Sequence, residues 1–451
     1  MTVDALPPLP RAASLPLVGS VLHYFRDPLG FLERTARDGG DFVEMRFLHQ
    51  RAWLVSDPAV IDQVLVKLPG SFQKDVFLRE LKRLLGEGLL TSEGDFWKRQ
   101  RRLIQPAFHR DRIAGYATIM VEHAARMAEA WGDGGRVDVH GSMMATTADI
   151  VVRALFGSDA GDTREVAHCI EVIMERFSDP LYLLVPLIDR LPTPANRRVR
   201  EVAPRLDRIV RGFIERRRAL GDAGPKGDLL AMLLAARDED GGRMSDQQVR
   251  DEILVIYLAG HETTALALSW TFHLLAQHPE EEARLHAELD AVLGDRDPGF
   301  DDLPRLEYTA RVVKESLRLY PPAWALGREA TAPVELAGRR FEKGAWIWMI
   351  PWVLHHDARW YPDPWRFDPG RWEEARAKAL PKHAYLPFGA GPRVCIGNQF
   401  AMMEATLMLA TVARRFRLRS VPGFAVTPVP AITLRFEHGL EMIASRRAVA
   451  S

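Results

Sequence analysis

A cysteine near the C-terminal end lies in a segment whose composition suits a thiolate. Cys395 belongs to residues 388–397, FGAGPRVCIG, which also contain three glycines. Glycines permit tight turns and close approach of a bulky group, and they leave peptide N–H groups available to the sulfur. The apolar run 398–416 predicts a buried helix, and a thiolate is stabilised at a helix N-terminus. A lone cysteine is usually a buried structural residue, but this spacing favours a nucleophile or a metal ligand. No histidine base for a nucleophile lies nearby in sequence.

An acid and an alcohol stand together within a second apolar segment. Helical periodicity predicts one long helix over 246–277, and AGHETT occupies 259–264 within it. The mid-helix glycine costs about 1 kcal/mol relative to alanine, which indicates close approach of something flat. Burying Glu262 beside Thr263 is costly unless the pair has a purpose. A hydroxyl backed by a carboxylate is suited to proton delivery, whereas His261 is expected to be a packing or surface residue.

A third pattern pairs charges at a helix end. Glu315 and Arg318 lie three residues apart in the helix predicted over 308–319, so they can meet on one face. Such pairs are mostly solvated and contribute little. Here two prolines end the helix abruptly, and a long ordered coil is predicted over 361–393. Arg366 lies in this coil, and coils of that length are usually functional.

The composition bounds the class of protein. The chain has 451 residues, of which 47% are hydrophobic, and 60 Lys and Arg balance 60 Asp and Glu. This excludes wholesale disorder and argues against a general nucleic-acid binder. Two cysteines favour a reducing compartment. Residues 1–20 form a proline-rich arm without a signal peptide, and the densest apolar stretch, Leu181–Ile188, is too short to span a membrane. We expect a cytoplasmic protein without a membrane anchor.

Helical spacing of apolar residues dominates the chain. Besides 246–277, it predicts helices over 113–131, 199–220, 280–293 and 308–319. Strand-like alternation is confined to 42–55, 340–349 and 424–443. Neither a repeat nor a low-complexity linker divides the sequence. We therefore expect a mainly α fold with small β-sheets, in a single domain over 1–451.

Taken together, the motifs resemble those of the cytochrome P-450 superfamily. Residues 388–397 match its haem-binding pattern F-G-x-G-x-R-x-C-x-G at every fixed position. The AGHETT segment resembles its oxygen-activation motif, residues 315–318 its E-x-x-R motif, and residues 97–101 its W-x-x-x-R element. The resemblance runs from the prolines at 7–10 to residues 432–435, and the chain is identified as a soluble bacterial-type member.

The resemblance implies a haem-thiolate centre. Cys395 would be the axial ligand of haem b iron, with the haem between the long oxygen-side helix and the helix after the Cys-loop. A thiolate ligand pushes electron density onto iron and favours O–O cleavage. Glu262 and Thr263 would supply protons to O2. Glu315, Arg318 and Arg366 would form a buried structural triad.

Further positions are implied to hold the cofactor. Haem carries two carboxylates, which need cations or donors. The resemblance assigns this role to Arg101, Arg328 and Arg393, with Trp97 one helical turn from Arg101. The other implied cofactor contacts are Ala259, Gly260, Phe388, Gly389 and Gly397.

The implied reaction inserts one oxygen atom of O2 into a C–H or C=C bond, so it is a hydroxylation or an epoxidation. Electrons would come from NAD(P)H only indirectly, through a ferredoxin or flavodoxin and its reductase, because the chain has neither a flavin fingerprint nor an Fe–S cysteine set. A local basic surface suited to an acidic partner is predicted at Lys98, Arg99, Arg102, Arg110 and Arg112.

The implied substrate is hydrophobic. Positions that line the pocket in the family are almost wholly apolar, which favours binding by desolvation. They are Phe77, Leu78, Leu258, Ala323, Trp324, Leu326, Ala431 and Ile432. Leu181–Ile188 falls where relatives carry a lid. Residues 191–198 resemble fatty-acid-hydroxylase-like members, yet a fatty acid, terpenoid, steroid or macrolide all remain open.

Two alternatives to the monooxygenase stay open. A peroxygenase would take its oxygen from hydrogen peroxide, but that chemistry dispenses with a proton relay, and Glu262 and Thr263 are intact. A non-catalytic haem sensor or electron carrier would bind no organic ligand. A spin-state shift on adding apolar compounds would therefore argue against it.

Overall fold

Helices dominate, as the periodicity predicts. The computed structural model describes residues 8–157, 163–177, 191–221 and 228–447, so the predicted lid Leu181–Ile188 lies outside the described residues. Within these ranges the α-helices are Val21–Arg26, Pro28–Gly39, Pro58–Asp62, Val76–Glu80, Lys82–Leu85, Gly94–Ile104, Arg110–Ile113, Ala117–Glu129, Val139–Phe156, Thr163–Phe177, Pro194–Leu220, Leu229–Ala235, Asp246–Gln277, Pro279–Leu293, Glu307–Leu319, Pro351–His355, Glu374–Ala379 and Asn398–Arg415.

The strands are short and form small sheets. One sheet has five strands, in the order Phe42–Phe47, Gln50–Val55, Trp346–Met349, Leu326–Ala330 and Phe72–Lys74. A three-stranded sheet has the order Gly135–Asp138, Glu441–Arg446 and Phe416–Ser420. Two antiparallel pairs join Val334–Leu336 to Arg339–Phe341 and Pro428–Pro430 to Leu434–Phe436.

The chain divides into two compact units, each built from separated segments. The first lies within 1–79, 317–366 and 371–395. It contains the five-stranded sheet, in which Gln50–Val55 pairs in parallel with Trp346–Met349 and every other pairing is antiparallel. Its core includes Val55 and Ile347 of the sheet and Ile61 of the helix Pro58–Asp62, all fully buried.

The second unit lies within 80–316, 367–370 and 396–451 and contains the long helix, Asp246–Gln277. This helix has the predicted bounds and begins at a capping box formed by Ser245 and Gln248. Among the described residues it alone is long and apolar enough to cross a membrane, but 78% of that stretch is buried inside the protein. It is therefore typical of a core helix.

Where the structure differs from the sequence prediction, backbone geometry gives the reason. The alternation over 42–55 forms a hairpin of two strands, because Leu48 adopts a positive φ of 56° between them. The coil predicted over 361–393 contains the helix Glu374–Ala379 and a short 3-10 turn, Pro369–Trp372. The helix predicted over 113–131 is shorter, at Ala117–Glu129.

Candidate functional site

The segment Phe388–Cys395 folds back on itself in the first unit. The backbone N–H of Cys395 donates to the Phe388 carbonyl oxygen at 2.9 Å, and a 3-10 turn, Gly391–Arg393, lies between them. The Cys395 side chain is exposed and is not in a disulfide. The helix Asn398–Arg415 begins three residues later. The side chain is therefore exposed and stands just before a helix start, as predicted.

Two glycines of this loop have positive φ angles for different reasons. At Gly391, with φ 68°, a Cβ atom would lie 1.9 Å from the carbonyl oxygen of Leu65. That glycine is required by main-chain packing. At Gly389, with φ 67°, a Cβ atom would meet nothing within 4 Å. This side of the loop is open, which suits close approach of a bulky cofactor.

The long helix has an open face in the middle of its buried length. Ala259 is exposed and Thr263 is half-buried, whereas Leu258 and Thr264 are buried. The Thr263 hydroxyl donates to the Ala259 carbonyl oxygen at 2.7 Å. A small exposed residue one turn from a hydroxyl leaves room for a flat group against the helix.

The glycine beside Ala259 has a different neighbour from the one expected. A Cβ atom added to Gly260 would point at the helix Val139–Phe156 and lie 3.0 Å from Val151 Cγ2. Close packing of two helices therefore accounts for this glycine. Of the two small residues, Ala259 is the one on the open face.

Glu262 is buried, and two residues of the C-terminal hairpin hold its carboxylate. Its Oε1 atom accepts the Thr433 hydroxyl at 2.7 Å and the Arg435 Nε–H at 2.7 Å. A second guanidinium nitrogen of Arg435 lies 2.6 Å from the same oxygen. Neither partner was predicted from the sequence. The sequence did indicate that such partners must exist, because a buried carboxylate needs a cation or several hydrogen-bond donors.

The neighbouring His261 packs inside the unit, as expected. It is buried, and its Nδ1 atom lies 2.8 Å from the Tyr257 carbonyl oxygen. Burial lowers the pKa of His261, so the ring is neutral at physiological pH. The neutral His261 ring therefore offers no positive charge to a reacting group.

Arg318 organises the coil before Cys395. It is fully buried, and its guanidinium donates to the carbonyl oxygens of His355, Pro364 and Arg366 at 2.8, 2.6 and 3.1 Å. In the second unit, the Glu315 carboxylate accepts the backbone N–H of Asp368 at 3.1 Å. Both side chains therefore hold main chain, which is the structural role predicted for them.

The prediction that Arg366 completes a buried triad is wrong. Its side chain is exposed, and it contributes only its carbonyl oxygen to Arg318. The buried arginine of this coil is Arg371, whose guanidinium donates to the carbonyl oxygens of Pro362 and Asp363 at 2.6 and 2.9 Å. The local signal was the Pro369–Gly370 pair before Arg371, which forms the 3-10 turn Pro369–Trp372.

The residues predicted to hold the cofactor carboxylates occupy ordered elements of both units. In the first, Arg328 is buried in the strand Leu326–Ala330, and Arg393 is half-buried in the turn Gly391–Arg393. Burial raises the pKa of Asp75, and the nearby positive charge of Arg328 opposes this only in part. In the second unit, Trp97 is buried and Arg101 half-buried on the helix Gly94–Ile104.

The predicted pocket residues also divide between the units. Five belong to the first, where the Phe77 ring lies 5.8 Å from that of Trp346 and Trp324 is buried. These five are Phe77, Leu78, Ala323, Trp324 and Leu326. Three belong to the second unit, where Leu258 is buried and the other two are half-buried; they are Leu258, Ala431 and Ile432.

The predicted basic surface is largely neutralised. Lys98 lies 2.8 Å from Asp95, Arg99 2.7 Å from Asp238, and Arg102 2.5 Å from Glu239. The two remaining members are Arg110, which lies over the Phe300 ring at 5.8 Å, and Arg112. Three of the five cations thus face a carboxylate, and the local positive potential is weaker than the sequence predicts.

Each unit, taken by itself, has residues of a chemical type that suits a flat macrocycle carrying carboxylates. In the first unit these are the exposed thiol of Cys395 and the glycine edge at Gly389. In the second they are the exposed Ala259 and the guanidinium of Arg101. A soft ligand, close backbone approach and guanidinium donors are what such a group needs.

Comparisons with known proteins place this chemistry in one family. The family model for cytochrome P450 matches residues 7–432. Cyclooctat-9-en-7-ol 5-monooxygenase of Streptomyces melanosporofaciens is 41% identical, over 91% of this chain and 89% of that protein. Pentalenene oxygenase of Streptomyces avermitilis is 37% identical, over 95% of each chain. The crystal structure of the cytochrome P450DA heme domain has a TM-score of 0.89 at 26% identity, over 98% of each chain.

The helical fold and the family match define a haem-binding oxidoreductase. The chain belongs to the cytochrome P450 family. It is an oxidoreductase of the monooxygenase class. The family uses haem iron as cofactor and O2 as co-substrate, and its electrons come from NAD(P)H indirectly. The predictions of family, fold class, enzyme class and cofactor are confirmed. The roles of individual residues stay predictions.

Proposed function

We propose that this enzyme inserts one oxygen atom of O2 into a cyclic terpene or terpene alcohol. Two relatives support this substrate class, because their names specify cyclooctat-9-en-7-ol and pentalenene. The proposed pocket positions are apolar in both units, which suits a compact hydrocarbon bound by desolvation. Among the classes left open by the sequence, a terpenoid is therefore the one we favour.

The observation that carries the proposal is the open face of the long helix. Ala259 is exposed although its neighbours Leu258 and His261 on the same helix are buried, and the Thr263 hydroxyl stands one turn away. Bound haem supplies the activation of O2 and the transfer of one oxygen atom. The chain supplies the ligand atom, Cys395 Sγ, and a hydroxyl that holds and passes protons.

Proton delivery requires that the acid be kept in place. Thr433 and Arg435 donate hydrogen bonds to the Glu262 carboxylate and hold it in one position. A carboxylate next in sequence to a hydroxyl, as Glu262 is to Thr263, is suited to transfer protons. We assign Thr263 to hold the reacting oxygen or a water molecule and Glu262 to resupply its proton.

We assign electron supply to a separate ferredoxin or flavodoxin with its reductase. The sequence has no flavin fingerprint and only two cysteines, so it does not hold a second redox centre of either kind. We also assign the protein to the cytoplasm, because a chain of this length with only two cysteines favours a reducing compartment. Because the surface at Lys98–Arg102 is largely paired, docking there depends less on charge than the sequence predicts.

Thr263→Ala tests the proton role. The variant keeps its haem, but product formed per NAD(P)H falls and hydrogen peroxide rises, because the hydroxyl that commits O2 to reaction is lost. Thr271→Ala is the matched control, since that hydroxyl makes the same 2.7 Å bond, to Ala267, on the same helix but is fully buried. Unchanged yield in Thr263→Ala, or turnover of the wild type with peroxide alone at the full rate, would overturn the proposal.

Substrate class is tested by binding to the holoenzyme. Pentalenene is expected to produce a low-to-high spin shift, and a long-chain fatty acid a weaker one. A shift with the fatty acid and none with the terpene would contradict the assignment. No shift with any apolar compound would favour the sensor instead.

A further inference from the structure

The C-terminal hairpin that holds the Glu262 carboxylate also contacts His140. The ring of Phe436, in that hairpin, lies 5.4 Å from the His140 ring. Just after the hairpin, the Leu440 carbonyl oxygen accepts the backbone N–H of Val139 at 2.8 Å. Both contacts lie within the second unit. The helix that begins at Val139 therefore starts against the same segment that fixes the buried acid.

His140 has a nitrogen available inside the protein. The residue is half-buried, so part of it reaches solvent. Its Nδ1 atom is buried and has no hydrogen-bond partner among the described residues. A buried polar atom without a partner is uncommon, and a water molecule shared with another polar group usually satisfies it. His140 thus combines access to solvent with a free nitrogen in the interior.

Charges on three elements act on this ring. Burial lowers the pKa of His140, and the negative charges of Asp138 and Glu262 oppose this only in part. The positive charge of Arg435 lowers the pKa further. Asp138 precedes the helix of His140, whereas Glu262 lies on the long helix and Arg435 on the hairpin. The ring is therefore neutral at physiological pH, and its protonated form is a stronger acid than an ordinary imidazolium, so it readily gives up a proton.

Other groups near Glu262 are less suited to bring it a proton. Arg435 keeps all its protons at physiological pH. Glu262 also acts on the pKa of a second histidine, His261, which is buried and has its Nδ1 atom 2.8 Å from the Tyr257 carbonyl oxygen. Of these two histidines, His140 is the one that reaches solvent.

We propose that His140 is a proton shuttle between solvent and Glu262. A proton from solvent adds to the neutral imidazole, and the Nδ1 proton then passes to the Glu262 carboxylate, which gives it to the oxygen or water held by Thr263. The ring is left neutral in its other tautomer, and exchange with solvent reverses this change. Because Nδ1 has no direct hydrogen bond to Glu262, one intervening water molecule carries the transfer. The inference rests on the proton role proposed above for Glu262.

His140→Gln tests the shuttle during turnover. Product formed per NAD(P)H should fall about tenfold, less than the roughly 10²–10⁴-fold that a proton-transfer group at the reacting atoms contributes, because Glu262 and Thr263 remain. Hydrogen peroxide and the solvent isotope effect on product formation should both rise. In a Glu262→Gln background, His140→Gln should change the yield by less than about twofold, because the two residues act in series.

His286→Gln is the matched control for this experiment. The Nδ1 atom of His286 is also buried without a partner, and this residue belongs to the second unit. The charges that act on it are those of Arg447, Arg417 and Arg419, and Glu262 is not among them. Its replacement should leave product yield and isotope effect at the wild-type values.

A titration without turnover tests the contact between His140 and Glu262. Glu262→Gln should lower the pKa of His140, because the removed negative charge raises it. Proton NMR of the diamagnetic carbon-monoxide complex measures this pKa, and the signal of His140 is the one absent from His140→Gln and from His140→Asn. The pKa of His286 should not change. This measurement follows the wild-type ring, so it decides the question even where a His140 variant loads haem poorly.

The outcomes separate the shuttle from the proposed function. An unchanged His140 pKa in Glu262→Gln would overturn the shuttle. So would a normal yield and isotope effect in folded, haem-loaded His140→Gln when Thr263→Ala diverts electrons to peroxide as expected. A normal yield in Thr263→Ala would overturn the proton role itself, and the shuttle with it.

Discussion

At the scale of single residues, the ion pair at Glu262 is the most informative feature. A buried carboxylate without a partner is strongly destabilising. Thr433 and Arg435 satisfy it from a hairpin that is more than 170 residues away in sequence. If Glu262 has the proposed proton role, Arg435 is a positioning residue that acts through this carboxylate.

Arg435→Gln should lower product formed per NAD(P)H by about tenfold, less than the roughly 10²–10⁴-fold that a proton-transfer group itself contributes, because the Glu262 carboxylate is still present. Without the guanidinium, the Glu262 carboxylate is no longer held against the hairpin that carries Arg435, so the proposed proton resupply should slow. The solvent isotope effect on product formation should rise, which a purely structural role would not cause. Arg419→Gln is the control, because Arg419 pairs with Glu282 elsewhere in the same unit. A normal yield and isotope effect in Arg435→Gln would refute the positioning role.

Glu404 on the helix Asn398–Arg415 is a second buried acid, with a different consequence. Burial raises the pKa of Glu404 to about 8, and the neighbouring Thr264 hydroxyl opposes this only in part. The folded protein therefore keeps this proton at a pH where the unfolded chain, with a pKa of 4.5, has lost it. Stability from this group is fully present below pH 4.5 and is lost as the pH rises to 8.

Glu404→Gln should accordingly stabilise the protein, and the gain should grow between pH 5 and pH 8, to ~4 kcal/mol at most. The amide is neutral at every pH, so its burial does not require a proton. Thermal midpoints of wild type and variant across this range give the measurement. Glu129→Gln, at an exposed position, is the control. A difference that is constant with pH would mean that Glu404 is not the titrating group.

At the scale of elements, Arg318 links a helix end to the coil that precedes Cys395. Its three hydrogen bonds reach carbonyl oxygens in the helix Pro351–His355 and in the coil around Pro364. Removing the guanidinium leaves these buried acceptors without a donor. Each such loss costs about 1–3 kcal/mol.

Arg318→Ala should therefore reduce the yield of folded, haem-loaded protein more than it changes any kinetic constant. Arg366→Ala is its matched control, because that side chain is exposed and its carbonyl oxygen is unaffected by the substitution. The control should lie within about 0.5 kcal/mol of the wild type. Thermal unfolding and the amplitude of the carbon-monoxide spectrum measure both. Well-loaded Arg318→Ala protein of normal stability would refute the structural role.

At the scale of the whole molecule, the sequence predicted long periodic elements well and long-range partners poorly. The helix Asp246–Gln277 was predicted at both ends, since its capping box and apolar run are local signals. The tight turn before Cys395 was likewise predicted from its glycines, and Gly389 and Gly391 both have positive φ angles. Arg435 and Arg371 were missed, because each is recognisable only from partners that the fold brings near. Gly260 was interpreted as facing a cofactor, although a helix 110 residues earlier explains it.

The same limit applies to charge. A cluster of cations at residues 98–112 indicates a basic surface only if no acids fold against it. Asp238 and Glu239 come from a loop more than 130 residues later and neutralise two of those cations. Net charge can be counted from sequence, but local potential depends on the fold.

The central claim is that Cys395 is the thiolate ligand of the haem. The most direct test is the carbon-monoxide difference spectrum of the dithionite-reduced protein, for wild type and for Cys395→His. The account predicts the strongly red-shifted Soret band of a thiolate-ligated carbonyl complex in the wild type and its loss in the variant. A wild-type band typical of imidazole ligation would contradict the claim, and the assigned oxygenase site would fall with it.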